Sequence, residues 1–167
     1  MVILLSINLI NALSSIKDST KFKETISGWG NYPEIKAVVR KPKTIAELKN
    51  LIKYNSSIAR GNGRSYGDSA INELNTIKMS NFNRFLSFDE NNGLLVTQAG
   101  VLLDDVIKTF LSKGWFLHVT PGTKFVTVGG MVAVDVHGKN HYRKGSFRNQ
   151  VKWIDIINYE GEILSRV

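Results

Sequence analysis

The 167-residue chain has no cysteine and only three prolines. Without cysteine there are no disulfides, no thiol nucleophile and no thiolate metal site, which is compatible with a reducing compartment. The expected location is the cytoplasm, with the inner membrane surface as an alternative station. A spanning apolar run is missing as well. Met1 to Ile10 is apolar, but it has no basic leader, Asn8 and Asn11 interrupt it, and no small-residue cleavage site follows cleanly. Residues 1–26 are therefore read as an apolar, helical N-terminal extension. It either packs on the domain, the favoured reading, or touches a membrane surface.

Acidic residues are the minority, 14 Asp and Glu against 22 Lys and Arg, for a net charge of +8. Such an excess favours anionic partners in general. Lys139, Arg143, Lys144, Arg148 and Lys152 crowd late in the chain, but they lack the regular aromatic interleaving of a single-strand binding platform, which argues against nucleic acid.

Several catalytic signatures are absent too. The doubly wound dinucleotide fingerprint needs a third glycine where this chain has Tyr66. The phosphate loop of nucleoside triphosphatases fails because Gly138-Lys139 is followed by Asn140. His137 and His141 have the i, i+4 spacing of zinc hydrolases, but Gly138 and Lys139 stand between them and the catalytic glutamate is missing, so no metal is expected. Gly145-Ser146-Phe147 is not a nucleophile elbow. His118, on an apolar stretch, reads as an ordinary core or surface histidine.

What the chain does have is 43% apolar residues, enough for a folded domain with a substantial core. Residues 35–39 read as a strand, and Thr44 with Glu47 has the capping-box spacing for a helix over 45–54. Residues 57–60 read as a strand entering a glycine loop. Short strands are expected at 76–79, 84–88 and 94–98, the last two joined by a turn, then a helix over 102–112 ended by Gly114. Further strands are expected at 115–119 and 151–158, with a hairpin from Glu160-Gly161 into 162–164. Thr127 is expected to cap a short helix through Val134.

Two segments carry the chemistry. Ala59, Arg60, Gly61, Asn62, Gly63, Arg64, Ser65, Tyr66, Gly67, Asp68 and Ser69 follow one another, and downstream come Pro121-Gly122-Thr123 and Thr127-Val128-Gly129-Gly130. Glycines clear side chains from the backbone so that successive N–H groups can face an anion, with Arg60 and Arg64 adding positive charge. This suits a diphosphate-bearing cofactor. Taken alone, Gly129 and Gly130 read better as packing glycines, since paired glycines commonly serve close helix packing.

In order, Ser27-Gly28-Trp29-Gly30, residues 59–68, the Pro121 and Thr127 segments, Asp135-Val136-His137-Gly138-Lys139-Asn140-His141 and Gly145-Ser146-Phe147 resemble the FAD-linked oxidases of the vanillyl-alcohol oxidase type. Within that family the likeness is greatest to the decaprenylphosphoryl-ribose oxidase branch, with sugar-lactone oxidases as more distant kin. The resemblance spans residues 27–164. It implies an α+β fold, a PCMH-type FAD-binding module of two small α/β subdomains occupying residues 27–167. It further implies that residues 59–69 wrap the FAD diphosphate, that Gly122 and Thr127 to Gly130 approach the cofactor, and that Val134, Asp135, Val136 and His137 run along the flavin. Tyr66, His137 and Lys139 match positions beside the flavin and its substrate pocket and are the candidates for shaping the reaction site.

Arg64 stands where some sugar-lactone oxidases bond a histidine to the flavin, so the resemblance implies non-covalent FAD. The implied reaction is hydride transfer from a sugar alcohol, a lipid-linked one among the candidates, to FAD. Family members continue into a substrate domain and later cofactor-covering segments. The expectation is therefore an N-terminal portion incomplete at its C-terminal end, without turnover alone: a fragment, one half of a split enzyme completed by a second chain, or a relic. The rival readings are a non-catalytic FAD or nucleotide-binding module needing a partner chain, and a fragment of a sugar-lactone oxidase.

Overall fold

The computed structural model describes the backbone of residues 2–5 and the whole of residues 21–53 and 56–166. The chain forms two compact units, one built mainly on Phe82–Asp155, the other on residues 21–81 with Ile156–Leu164.

The second of these holds a four-stranded sheet. Strands β2 (Lys21–Ser27) and β3 (Glu34–Arg40) pair antiparallel in unbroken register from Lys21 opposite Arg40 to Ser27 opposite Glu34. Strand β5 (Thr76–Lys78) lies parallel to both β3 and β4 (Ile58–Arg60), which gives the order β2-β3-β5-β4. Alternation along β3 buries Ala37 and Val39 against Ile26 and Ile71. Between β3 and β4 runs helix α1 (Ile45–Ile52), with Leu48 and Leu51 buried. Its start follows the sequence: Thr44 Oγ1 accepts from Glu47 N at 3.1 Å. Glu47 returns the bond one residue early, its Oε2 accepting from Lys43 N at 2.6 Å.

The other unit carries a five-stranded sheet of order β6-β7-β1-β8-β9, with β1 at Val2–Leu5, β6 at Phe85–Asp89, β7 at Leu94–Thr97, β8 at Val151–Ile157 and β9 at Ile163–Arg166. Strands β6 and β7 form the expected hairpin, its turn held by Asp89, whose Oδ1 accepts from Asn91 N at 2.9 Å. Helix α2 (Leu103–Phe110) turns Leu103, Val106 and Phe110 into the core and runs on into a 3-10 turn, Leu111–Lys113, that Gly114 closes at φ 82°. Leu95, Val101, Leu117, Val128, Met131 and Phe147 complete that core. The edge-on Phe85–Phe110 pair, 5.3 Å between centroids, packs against it.

Two expectations change here. Val2–Leu5 is not a helical extension. It is a central strand, parallel to β7 on one side and β8 on the other, from Val2 opposite Leu94 to Leu5 opposite Thr97. Residues 21–26, also assigned to the extension, belong to strand β2, and residues 6–20 lie outside the described residues. Trp115–Val119 is not a strand either. The side chain of Gln150 takes the place of a neighbouring strand: its Oε1 accepts from His118 N at 2.9 Å, and its Nε2 donates to Val119 O at 2.9 Å. Among the described residues, no helix is long and apolar enough to cross a membrane.

Candidate functional site

The glycine loop leaves the end of β4 and turns back through Gly63 (φ 65°) and Gly67 (φ 60°), two positions in the left-handed region that favours glycine. Its carbonyls turn toward the protein. Ser65 O accepts from Trp29 N at 2.8 Å, Tyr66 O from Ser69 Oγ at 3.0 Å and Asp68 O from Ile71 N at 3.1 Å. Among the described residues nothing accepts from the amides of Gly61, Gly63 and Gly67. Amide donors left unbonded in a glycine turn are the groups that an anion can engage.

Arg60 has a different place from the one expected. Its Nη2 donates to Ser27 O at 2.8 Å and its Nη1 to Ala70 O at 3.3 Å. Burial lowers its pKa, opposed by the charge of Glu24. A Cβ on Gly63 would fall 2.4 Å from Arg60 Nη2, so the guanidinium lies directly against the loop. Arg60 is thus a clamp that ties both ends of the loop to β2 rather than a charge offered to a ligand. Arg64 lies over the Trp29 ring, 4.5 Å from its centroid. Gly28, just before, permits close approach: a Cβ there would sit 2.6 Å from both Ser65 O and Gly67 O. Tyr66, expected beside the flavin, is 72% exposed and projects from the loop.

The Thr127 segment departs from expectation in a similar way. Helix α3 (Val128–Ala133) is capped by Thr127 Oγ1, which accepts from Gly130 N at 3.2 Å. Val128 N donates to Val101 O and Gly129 N to Ala99 O, both at 2.8 Å. Every amide of the first turn is therefore bonded within the chain, and the helix start offers no donor to phosphate. Gly129 is a packing glycine, since its Cβ would lie 2.9 Å from Ala99 Cβ. Val128 is wholly buried, while Gly130 is exposed.

Beyond α3 the chain enters the His137 segment. Val134 is 68% exposed. Asp135, at φ 44°, is held by three bonds: from Ser146 Oγ at 2.8 Å, from Arg148 N at 2.9 Å and from Arg148 Nε at 2.6 Å. The backbone bond from Arg148 and the Ser146 hydroxyl keep its carboxyl below the usual range. Asp135 is thus a latch. It fixes the turn while Val136 N donates to Met131 O at 3.1 Å and His137 bridges to Ser146.

His137, Gly138, Lys139 and Gly122 line an open cleft of about 800 Å³, with Phe116, His118, Thr120 and Asn140. Three of the expected site residues thus meet there. Tyr66 and the glycine loop belong to the other unit. Sequence reasoning missed His118 and Asn140. Asn140 Nδ2 donates to His118 O at 2.8 Å and pins the cleft wall. Burial, then neighbouring charge including Lys144, lowers the pKa of His118. The His137 and His141 rings lie 5.3 Å apart but not on one helix, and no metal-ligating cluster of three occurs among the described residues.

With this geometry in view, comparison with known proteins decides the family. The family described as "FAD binding domain" matches residues 36–165. The chain belongs to that family. Decaprenylphosphoryl-beta-D-ribose oxidase of Mycolicibacterium smegmatis is 46% identical over 107 residues, 64% of this chain and 23% of that protein. A D-lactate dehydrogenase of Anaerostipes hadrus is 33% identical over 88 residues, 53% of this chain and 18% of that protein. Among solved structures, an alkyldihydroxyacetonephosphate synthase superposes with a TM-score of 0.67 at 20% identity, covering 80% of this chain and 27% of that one, a likeness of fold.

The PCMH-type α+β fold and FAD as cofactor thus stand. The chain is an FAD-binding segment of the flavoprotein oxidoreductase family, and it spans about a quarter of the length of the oxidase, 23%. The residues fit the cofactor on a structural ground of their own: the amides of Gly61, Gly63 and Gly67, without an acceptor among the described residues, are donors suited to a diphosphate.

Proposed function

We propose that the chain is the FAD-binding portion of an oxidoreductase that oxidises a sugar alcohol, a lipid-linked one being favoured by the likeness to the decaprenylphosphoryl-ribose oxidase. The observation that carries the reading is the loop at 61–67, where the carbonyls of Ser65 and Tyr66 are bonded within the protein and, among the described residues, nothing accepts from the amides of Gly61, Gly63 and Gly67. When bound, FAD supplies the two-electron acceptor for a hydride. The chain's own residues bind and orient. Gly61, Gly63 and Gly67 donate to the diphosphate, Arg64 adds a cation, and the exposed Tyr66 meets the flavin. In the cleft, Lys139 sets a positive charge and His137 an imidazole where a hydroxyl-bearing substrate enters, with the Asp135 latch holding their turn. Arg64 in the place of a flavin-bonding histidine makes the attachment non-covalent.

A second reading is favoured by the likeness to D-lactate dehydrogenase and to the D-2-hydroxyglutarate dehydrogenases of plants, the latter 22% identical across 89% of this chain. The substrate is then a 2-hydroxy acid. Both readings require the remaining substrate-binding part, in the same polypeptide or in a partner chain. The test is reconstitution of the purified chain with FAD, read by absorption after desalting and by thermal shift. Retained yellow colour with a raised melting temperature supports the reading, and a folded chain that neither retains FAD nor shifts overturns it. Anaerobic bleaching by a sugar alcohol or by D-lactate, after adding a candidate partner half, separates the two substrates from a non-catalytic binder.

A further inference from the structure

The segment from His137 to Ser146 is an excursion with a fixed base and an unburied tip. His137 and Ser146 bridge across its ends, and Phe147 N donates to Val136 O at 2.8 Å. Just outside them Asp135 accepts from Ser146 Oγ at 2.8 Å and from Arg148 N at 2.9 Å. The tip is braced against the cleft wall. Asn140 Nδ2 donates to His118 O at 2.8 Å, and Gly138 lies so close that a Cβ there would fall 2.7 Å from Thr120 O. The tip contains the single-turn helix α4 (His141–Lys144), none of whose residues is buried.

Burial therefore does not account for the composition of that tip. No Asp or Glu occurs from Val136 to Ile154, a stretch that carries Lys139, Arg143, Lys144, Arg148 and Lys152. Arg148 is taken up by Asp135, whereas among the described residues no carboxylate pairs with Lys139, Arg143 or Lys144. Three like charges within six residues repel one another, so the isolated fold gains nothing from gathering them. Tyr142 stands among them, 80% exposed, with the Arg143 guanidinium 5.7 Å from its ring centroid.

We propose that the braced tip, Lys139 with His141 to Lys144, is a docking surface for an anionic lipid bilayer. The proposal goes beyond the oxidoreductase reading above and supplies it with a route for substrate. Lys139 also lines the open cleft, so docking through the tip sets the cleft beside the headgroup layer, where a lipid-linked alcohol resides. Charge complementarity carries the choice of partner. Basic side chains are drawn to anionic headgroups, and a tyrosine with an apolar ring and a polar hydroxyl suits the boundary between headgroups and acyl chains. A single-stranded nucleic acid, by contrast, is held along a groove with an aromatic side chain for each of several bases, and this tip offers one aromatic.

The experiment sediments the full chain with sucrose-loaded vesicles of phosphatidylcholine, with and without phosphatidylglycerol. Wild type binds the anionic vesicles, and added salt releases it. Each cation at an anionic surface corresponds to about a five-fold gain in partitioning, so Arg143→Gln with Lys144→Gln weakens that binding by about 25-fold. Lys21→Gln with Lys23→Gln removes the same charge from exposed positions of the other unit and leaves most of the binding intact. Because the chain has no cysteine, a polarity-sensitive dye on Tyr142→Cys is a unique reporter. Its emission moves to the blue with anionic vesicles, and the same dye on Lys21→Cys stays still. The proposal is overturned by any of four results: no preference for anionic vesicles, equal losses from the two pairs of substitutions, a dye on Tyr142→Cys that does not respond, or affinity for an RNA oligonucleotide without affinity for the vesicles. FAD retention is measured on the same samples. A chain that holds FAD and ignores vesicles sinks this inference alone, whereas one that docks through the tip and never holds FAD sinks the functional reading alone.

Discussion

Replacing Arg60 by Met separates two roles that an arginine in a phosphate-binding loop can have. The native side chain donates to Ser27 O at 2.8 Å and to Ala70 O at 3.3 Å, and methionine keeps its apolar stem while removing both bonds. A short bond from a charged donor contributes about 1.5–3 kcal/mol and a long one about 0.5 kcal/mol, so the loss is about 2–3.5 kcal/mol. For a chain of this size that corresponds to a fall in melting temperature of about 4–14 °C. The decisive condition is the absence of FAD. A clamp lowers the melting temperature of the cofactor-free protein, measured by calorimetry or circular dichroism. A residue whose purpose is to meet the diphosphate leaves that temperature unchanged and weakens only FAD binding. An unaltered cofactor-free melting temperature for Arg60→Met refutes the clamp.

Further outcomes follow from the same geometry. Phe147 is fully buried, and Phe147→Ala lowers stability by about 3–5 kcal/mol in denaturant unfolding. Gln150→Leu leaves the His118 and Val119 amides without their acceptor, at a cost of about 1–3 kcal/mol for each buried group stranded, and hydrogen exchange at those two amides accelerates. Asp135 has its carboxyl pKa lowered by Arg148 N and Ser146, so its contribution to stability is present above the unfolded carboxyl value and is lost as pH falls through the folded one. Melting curves of wild type therefore decline on acidification below about pH 4, and those of Asp135→Asn decline less. His118 is held below its ordinary pKa by burial first, with Lys144 contributing, so Lys144→Gln moves its NMR titration upward toward the usual value.

Much of the architecture was legible because its causes are local. Thr44 and Glu47 announce a helix start by their spacing, Gly114 a stop, and the alternation in β3 a half-buried strand. What misled was chain that depends on distant partners. Met1 to Ile10 is apolar without a period, so nothing local separates helix from strand, and β1 exists because β7 and β8 lie on either side of it. Trp115–Val119 has strand composition, yet a single amide from Gln150, more than thirty residues later, takes the pairing that would have made it one.

The site divides along the same line. The glycine loop was readable because positive φ at Gly63 and Gly67 imposes a residue type. The roles of Arg60 and Asp135 were not readable, because each is decided by a tertiary bond: to Ser27 O, and to Arg148 and Ser146. The packing of Gly129 against Ala99 was readable from the glycine pair taken alone, and the family resemblance pointed away from it. Residues that look like ligands in the sequence turn out to be the frame. The contacts left for the cofactor are the loop amides.

The most direct measurement is an amide-resolved NMR titration of the full chain with FAD, ADP and riboflavin in parallel. The amides of Gly61, Gly63 and Gly67 should shift with FAD and with ADP and stay in place with riboflavin, while those of Val128 and Gly129, bonded inside the chain, report little. If FAD binds and the three loop amides do not move, or if riboflavin moves them as far as FAD does, the loop is not the diphosphate cradle and the account fails at its centre.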